Sequence, residues 1–473
     1  MKETLVNSLV SLVDNSISYS DGKVIVLDEA ILRKTIHKLA EVSALGKGTE
    51  QGMARFLIRS AALALGIYPA SINDLYLARG EGKVPFTFTV PAINLRVLAF
   101  DSARAVFRAA LKVNTAAIIF EIARSEMNYT DQRPTEYSAS ILAAAIAEGF
   151  TGPVFIQGDH FQVSAKRFAD DSKTELEALK ALIIEAVAGG FFNIDVDTST
   201  LVDLSEKTID GQQRLNIGIS AELSAFIRSV EPRGVTISIG GEIGEVGGHN
   251  STADELHSYL NGFKTEFSKI NPKAVGLSKI SIQTGTSHGG VVLPDGSIAK
   301  VDVDFDTMLH LSRMARSQYG LGGAVQHGAS TLPDDAFHKF VEAEACEVHL
   351  ATNFMNMFFD RIPASLREEM YAYLRQNNAS DRKADMTDEQ FYYKTRKSVI
   401  GPFKKQSWGL PTEVKEEIGK AWEEQFLKLF RLLGLKDTRQ YVDKYIKRVD
   451  IEPVLRDYLG EEASAEDVSD LAD

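Results

Sequence analysis

The sequence predicts an α/β fold, a (β/α)8 TIM barrel with helical extensions at both ends. Three observations lead there. Short apolar runs alternate with amphipathic stretches eight times between Phe86 and Ala351. Polar residues with useful chemistry recur where these runs end: Asn94, Asp159, His160, Asp197, Glu242, His288 and His327. Glycine-rich loops follow several of the same runs. In a barrel the strand ends all open on one face, so such residues converge there.

Residues 1–84 read as a helical extension. Asp28 is placed to cap a helix carrying Ile31, Ile36, Leu39 and Val42 on one face. After Gly46–Lys47–Gly48 a second helix runs from Thr49 through Met53, Leu57, Ala61 and Leu65 to Gly66. The glycine break lacks the spacing of a phosphate-gripping loop and reads as a helix–helix turn.

Residues 85–360 are assigned to the barrel. Its first four strands are expected at Phe86–Pro91, Ala116–Ile122, Pro153–Gln157 and Phe192–Val196. The other four are expected at Val235–Ile239, Ile280–Thr284, Gly322–Gln326 and Glu347–Ala351. Amphipathic helices fall between them at Thr135–Ala147, Ser172–Ala188, Thr252–Phe267 and Phe305–Ala315. Periodicity cannot see closure, so an open doubly wound sheet stays as the alternative. Residues 361–459 are helical and charged, with a loop near Lys404–Pro411 and an amphipathic helix over Thr412–Leu433. Residues 460–473 are acidic and free of aromatics, which predicts a disordered tail.

The bulk properties narrow the function. The chain has 473 residues and a net charge of −13, against a broad electrostatic grip on nucleic acid. An anionic ligand is still compatible, since a metal and a few basic groups can make one site positive. The single cysteine, Cys346, permits no intrachain disulfide and fits a reducing cytoplasmic setting. Glu3, Asn7 and Asp14 interrupt the first apolar pattern, unlike a signal peptide. No apolar run approaches the roughly 20 residues of a membrane span, so no membrane partner is expected.

His160, His288 and His327, at three strand ends beside two carboxylates, form a metal-ligand set. Three such ligands leave one position open, the arrangement of a catalytic zinc ion. Imidazole also suits zinc better than magnesium or calcium, which prefer oxygen. The loops around GDH at 158–160, GGEIGEVGGHN at 240–250, TGTSHGG at 284–290 and QHGAS at 326–330 can bring backbone amides close to a ligand. A loop such as HGAS can present N–H groups to a phosphate.

These motifs, in this order, resemble the class II, metal-dependent fructose-bisphosphate aldolases over roughly residues 86–355. FTFTVPAIN resembles the family's opening strand, which places Asn94 near substrate. Asp159–His160 matches its catalytic Asp followed by a zinc His, and GGFFNIDVDTS its strand ending in a metal-binding Asp, here Asp197. Glu242, Gly244, Gly247 and Gly248 match a Glu-x-Gly-x-x-Gly-Gly element, and His288–Gly289 and His327–Gly328–Ala329–Ser330 match the two histidine loops. The resemblance implies zinc-dependent aldol cleavage of a ketose phosphate, fructose 1,6-bisphosphate first among candidates. Zinc would lie on His160, His288 and His327, with Glu242 and Asp197 at an alternative metal position or orienting ligands. Asp159 would exchange the substrate's hydroxyl proton, and Asn94, Gly289, Gly328 and Ser330 would bind substrate.

Two departures stand out. Where the family carries a carboxylate pair this chain has His249 and Asn250, which makes His249 the candidate for the second proton transfer and Glu245 its runner-up. The family's last strand ends in Lys-x-Asn-x-Asp-Thr, whereas here His349 to Phe354 stand, with Asn353 as the substrate-binding candidate. These changes motivate the alternative of a non-catalytic or regulatory aldolase-like subunit. A metal-free aldolase would need a Schiff-base lysine; Lys279, at a strand start, is expected to face solvent instead. A zinc hydrolase on the same fold would rest on fold analogy alone. The apolar faces of the extensions suggest a homo-oligomer, a dimer.

Overall fold

The computed structural model describes residues 2–20, 22–244, 249–285, 293, 303–329, 332–460 and 471. Its strands are β1 (Ile17–Ser20), β2 (Lys23–Val26), β3 (Ile67–Ala70), β4 (Val90–Asn94), β5 (Ile119–Ala123) and β6 (Gly152–Gln162). They continue as β7 (Asn193–Asp197), β8 (Ser238–Glu242), β9 (Lys279–Ile282), β10 (Ala324–Gln326) and β11 (Glu347–Leu350). Strands β4 to β11 form a closed parallel barrel, with β11 returning to β4 and β6 pairing β7. Helices flank it, so the open-sheet alternative is set aside.

All eight expected barrel strands are present, but two lie later in the chain than their apolar runs suggest. The first is Val90–Asn94 rather than Phe86–Pro91, because the preceding aromatics are used elsewhere. The Arg316 guanidinium packs over the Phe86 ring at 4.1 Å, and Phe88 stacks on Tyr441. The Thr89 amide bonds to Leu433 of the C-terminal region instead of joining the ladder. The fifth is Ser238–Glu242 rather than Val235–Ile239; Arg228 takes the Ile237 carbonyl. Asn94 and Glu242 therefore end their strands instead of following them.

The first eighty-odd residues are not all helical, contrary to expectation. Asp28 does cap the helix Glu29–Leu45, its carboxylate accepting from the Ile31 amide at 2.9 Å. Lys47 then begins the helix Gly48–Ala64, so the glycine break is a helix–helix turn. However, β1 and β2 form an antiparallel hairpin, and β3 joins the barrel sheet. The four-residue runs ISYS, KVIV and IYPA are too short for periodicity to separate from helix ends. Strand β3 pairs with Gly152–Phe155 of β6, below the part of β6 that pairs with β7.

The C-terminal region wraps the barrel's helices. The helix Thr412–Leu432 packs on the helix Ala99–Val113 and buries Trp422, whose indole N–H donates to the Phe354 carbonyl at 3.0 Å. Burial of such a side chain contributes about 1.5–3 kcal/mol. The expected loop near Lys404 begins with the short helix Lys404–Trp408. There Lys404 turns inward to Glu136 at 2.8 Å, and Glu136 also meets Arg55 at 3.2 Å. One buried ion cluster thus joins the segments before, within and after the barrel.

Candidate active site

The site begins with a distortion in β6. The pairing register with β7 shifts between Gly158 and Phe161, and His160 adopts φ = 38°. A bulge of this kind re-aims side chains, and a left-handed backbone at a non-glycine residue is strained. Gly158 makes room for it, since a Cβ there would lie 2.3 Å from the Phe161 ring. The result is that Asp159 and His160 are both buried at the barrel mouth.

His160, Glu242 and His327 come together there, one ligand atom from each lying within 4.8 Å of the others. The His160 and His327 rings are 4.4 Å apart. His160 Nδ1 lies 3.0 Å from Asp197 Oδ2 and 3.2 Å from Glu242 Oε1. Asp197 is fully engaged: Ser199 donates to it through its amide and hydroxyl, and Gln162 through its side-chain amide. Asp197 thus orients the His160 ring from behind, as carboxylates do for metal-bound histidines. His327 Nε2 is 2.9 Å from the Ser281 hydroxyl.

The charge balance at this cluster suits a cation. Burial and the neighbouring Asp197 push Glu242 up to about 7, against the pull of His160. Among the described residues, neither its Oε1 nor Asp159 Oδ1 has a well-formed hydrogen bond, although both are buried. Such oxygens are costly unless something neutralises them. Two imidazoles and a carboxylate are borderline donors of the zinc type, so the residues present fit the ion the sequence implied. Burial opposes the ionisation of Asp159, but His160 and His349 outweigh it and hold the carboxyl well below its usual range.

Other expected residues fall variously. Asn94 is buried at the end of β4 and donates to Glu126, leaving its Oδ1 without a partner. Gly328 follows His327 with φ = 70°. Asn353 lies in the helix Thr352–Arg361 and lines a small cleft with Asp334, Phe354 and Gln425. His249 is 58% exposed and bonds to the Asn250 carbonyl, so it is not brought to the centre. Asn250, in the place of a family carboxylate, donates to Asp304 at 2.9 Å. His288, Gly289, Ser330, Glu245, Gly247 and Gly248 lie outside the described residues.

Below the cluster, the barrel interior is charged. Alternate strands β5, β7, β9 and β11 contribute Glu121, Asp195, Lys279 and Glu347, all buried. Lys279 donates to Gln157 at 2.8 Å, Asp195 at 3.0 Å and Glu347 at 2.5 Å. The expected solvent-facing Lys279 is therefore corrected. Burial disfavours its charge, but Asp195 and Glu347 outweigh that and raise its pKa above the usual lysine range, so it is no Schiff-base nucleophile. His349 packs against His327 with the rings tilted and their centres 3.9 Å apart. Sequence reading missed this group because it treated IFEIA, NIDVD, KISI and EVHL as apolar runs. Their polar residues at alternate positions were the available signal.

Comparison with known proteins follows the same lines. A family model described as "Fructose-bisphosphate aldolase class-II" matches residues 86–407. No curated protein sequence matches the chain. A fructose-bisphosphate aldolase structure from Campylobacter jejuni is 17% identical, covering 79% of this chain and 97% of its own, with a TM-score of 0.46. A glycerol complex of the fructuronate-tagaturonate epimerase of Cohnella laeviribosi is 13% identical, covering 92% of this chain and 100% of its own, with a TM-score of 0.57. At that identity the likeness is one of fold.

Proposed function

The chain belongs to the class II fructose-bisphosphate aldolase family, and from that premise we propose that it cleaves and forms a carbon–carbon bond in a ketose phosphate with a bound zinc ion. The observation that carries this reading is the buried trio His160, Glu242 and His327 with the buried carboxyl of Asp159 beside it. These three would hold the ion, with His288 added by family resemblance. A zinc ion there supplies Lewis acidity for the negative charge that develops on the substrate's C2 oxygen.

The chain's own residues account for the remaining steps. Asp159 takes the proton of the C4 hydroxyl as the C3–C4 bond breaks, which leaves an aldehyde at C4 and the bonding electrons on the C2–C3 fragment. Asp197 keeps the His160 ring in orientation, and Asn94 offers a buried amide oxygen to a substrate hydroxyl. With His249 at the surface, the proton returned to C3 has no assigned donor among the described residues. Fructose 1,6-bisphosphate is the first substrate of choice, giving glycerone phosphate and glyceraldehyde 3-phosphate. A cytoplasmic homodimer completes the proposal; no described helix is long and apolar enough to cross a membrane.

A second reading is stereochemical inversion of a ketose at the same centre. An enolate that recombines with the other face of its aldehyde returns an epimer instead of two fragments. The fold shared with a fructuronate-tagaturonate epimerase over 92% of this chain favours testing it. A non-catalytic subunit would have no use for two carboxylate oxygens buried at the mouth without a well-formed hydrogen bond among the described residues.

The experiment is metal analysis together with product analysis. Wild type should carry zinc, lose activity to a chelator and regain it with zinc. His160→Ala should lose the metal and at least about 10²-fold of kcat/KM. Full zinc content in His160→Ala would overturn the ligand assignment; epimer without triose would select the second reading.

A further inference from the structure

Resting on the reading of Asp159 as proton acceptor, we propose that His349 is the positioning residue that fixes Asp159, and that Tyr76, from the segment before the barrel, locks His349 through Glu347. The observation behind it is a continuous polar column inside the barrel, where aliphatic side chains ordinarily dominate.

The column starts beneath the barrel. Tyr76 lies in the helix Asn73–Gly80 and is 1% exposed. Its hydroxyl donates to Glu347 Oε2 at 2.5 Å. The ring fits because residue 322 is glycine: a Cβ there would come within 2.9 Å of Tyr76 Cβ. Glu347 Oε1 in turn accepts from Lys279 at 2.5 Å, Gln157 at 3.1 Å and His349 Nε2 at 2.8 Å. The same design recurs beside it, since a Cβ on Gly240 would lie 2.2 Å from Asp195 Oδ1. Glycines have made space for the ions rather than for aliphatic packing.

His349 carries the column to the mouth. Its Nδ1 lies 3.0 Å from Glu121 Oε2 and 3.3 Å from Asp159 Oδ1, while His327 covers one face of the ring. Both ring nitrogens therefore face carboxylates, and the imidazole cannot turn without abandoning one side. Asp159 has the opposite character. Among the described residues its Oδ1 has no well-formed hydrogen bond, and it adjoins the strained backbone of His160. Among the described residues no amide or hydroxyl sets the direction of that oxygen, which leaves the imidazoles of His160 and His349 beside it. Proton transfer needs the carboxylate held within hydrogen-bond reach of the hydroxyl, and a small misplacement is expensive in rate. His349 supplies the restraint, and the segment before the barrel thereby takes part in the chemistry.

A purely structural column would act differently, weakening metal binding, KM and kcat together. The test uses the zinc-loaded full chain with His349→Gln and Tyr76→Phe. His349→Gln should lower kcat for cleavage by about 10- to 100-fold with KM within about threefold. Tyr76→Phe should act in the same direction, by about 3- to 10-fold. Zinc affinity, measured by competition with a chromophoric chelator, should not change. Exchange of solvent hydrogen into C3 of glycerone phosphate should also persist, because that half-reaction does not involve the C4 hydroxyl. Crystal structures of both variants should show the Asp159 carboxylate turned from its wild-type position. An unmoved Asp159, a wild-type kcat in His349→Gln, or a parallel loss of zinc affinity and exchange would overturn the proposal. If wild type cleaves no ketose phosphate, the aldolase reading fails, and the position of Asp159 in the variants still decides this inference.

Discussion

Asp159 stands between His160, 3.9 Å from its Oδ1, and His349 at 3.3 Å, with no well-formed hydrogen bond to that oxygen among the described residues. Replacement by asparagine keeps the shape but removes the base. Asp159→Asn should therefore retain zinc and fold while kcat falls by at least about 10²-fold; near-normal turnover would move the proton transfer to another group. At this scale the sequence was legible wherever chemistry sits at a strand end. Asp197, Glu242 and His327 converge with Asp159 and His160, although the last two lie inside β6 at its bulge and not beyond the strand as expected. It was illegible where placement depends on side-chain direction. His249 belongs to a motif loop yet is exposed, while His349, inside a strand, reaches the cluster. The amide of Asn250 is likewise understood only through its partner. It bonds Asp304, so a carboxylate there would meet a like charge.

Among the elements, the count of eight strands was readable from alternation, and one helix start, at Asp28, from its cap. Thr252 caps the helix Ala253–Ile270 with a reciprocal bond to Glu255, and Asp304 caps Phe305–Tyr319 by accepting from the Thr307 amide at 2.9 Å. Asp304→Ala should destabilise the protein by about 1 kcal/mol in chemical denaturation, the usual worth of such a cap. Hairpin β1–β2 and strand β3 were not readable, because runs this short are specified by their partners. The inward faces of β5, β7, β9 and β11 give a second test. Burial opposes ionisation of Glu347, but Lys279 and His349 outweigh it and hold the carboxyl at about 2, below its ordinary 4.5. A depressed value stabilises the fold fully above about pH 5, and that contribution fades as pH falls through 4.5 towards 2. The amount is about 3 kcal/mol. Unfolding free energy measured between about pH 5 and pH 3 should decline less steeply in Glu347→Gln than in wild type. Equal slopes would sink the assignment.

On the scale of the whole molecule, the barrel and its extensions are tied together by buried charge. Glu136 on a barrel helix meets Arg55 from before the barrel and Lys404 from after it. Lys404→Met removes one of the two cations on Glu136 and leaves Arg55 as the other, so it should cost about 1.5–3 kcal/mol, the scale of a hydrogen bond to a charged group, and raise hydrogen exchange in the helix Gly48–Ala64. Protection unchanged in that helix would mean the three regions are held by apolar packing alone. Strand β3 bears on a different matter, the order in which the chain is made. By the time Gln162 has been synthesised, β3, β4, β5 and β6 are all present, and they are neighbours in the order β3-β6-β5-β4. That is an open four-stranded sheet with two edges, and unpaired edges invite aggregation on or near the ribosome. On one edge, β3 already covers Gly152–Phe155 of β6, leaving only the stretch from Gln157 onward for β7. The opposite edge, β4, waits for β11, whose last residue is Leu350. The nascent chain thus shields one edge from its first hundred residues and must keep the other unpaired until translation of the barrel is nearly complete.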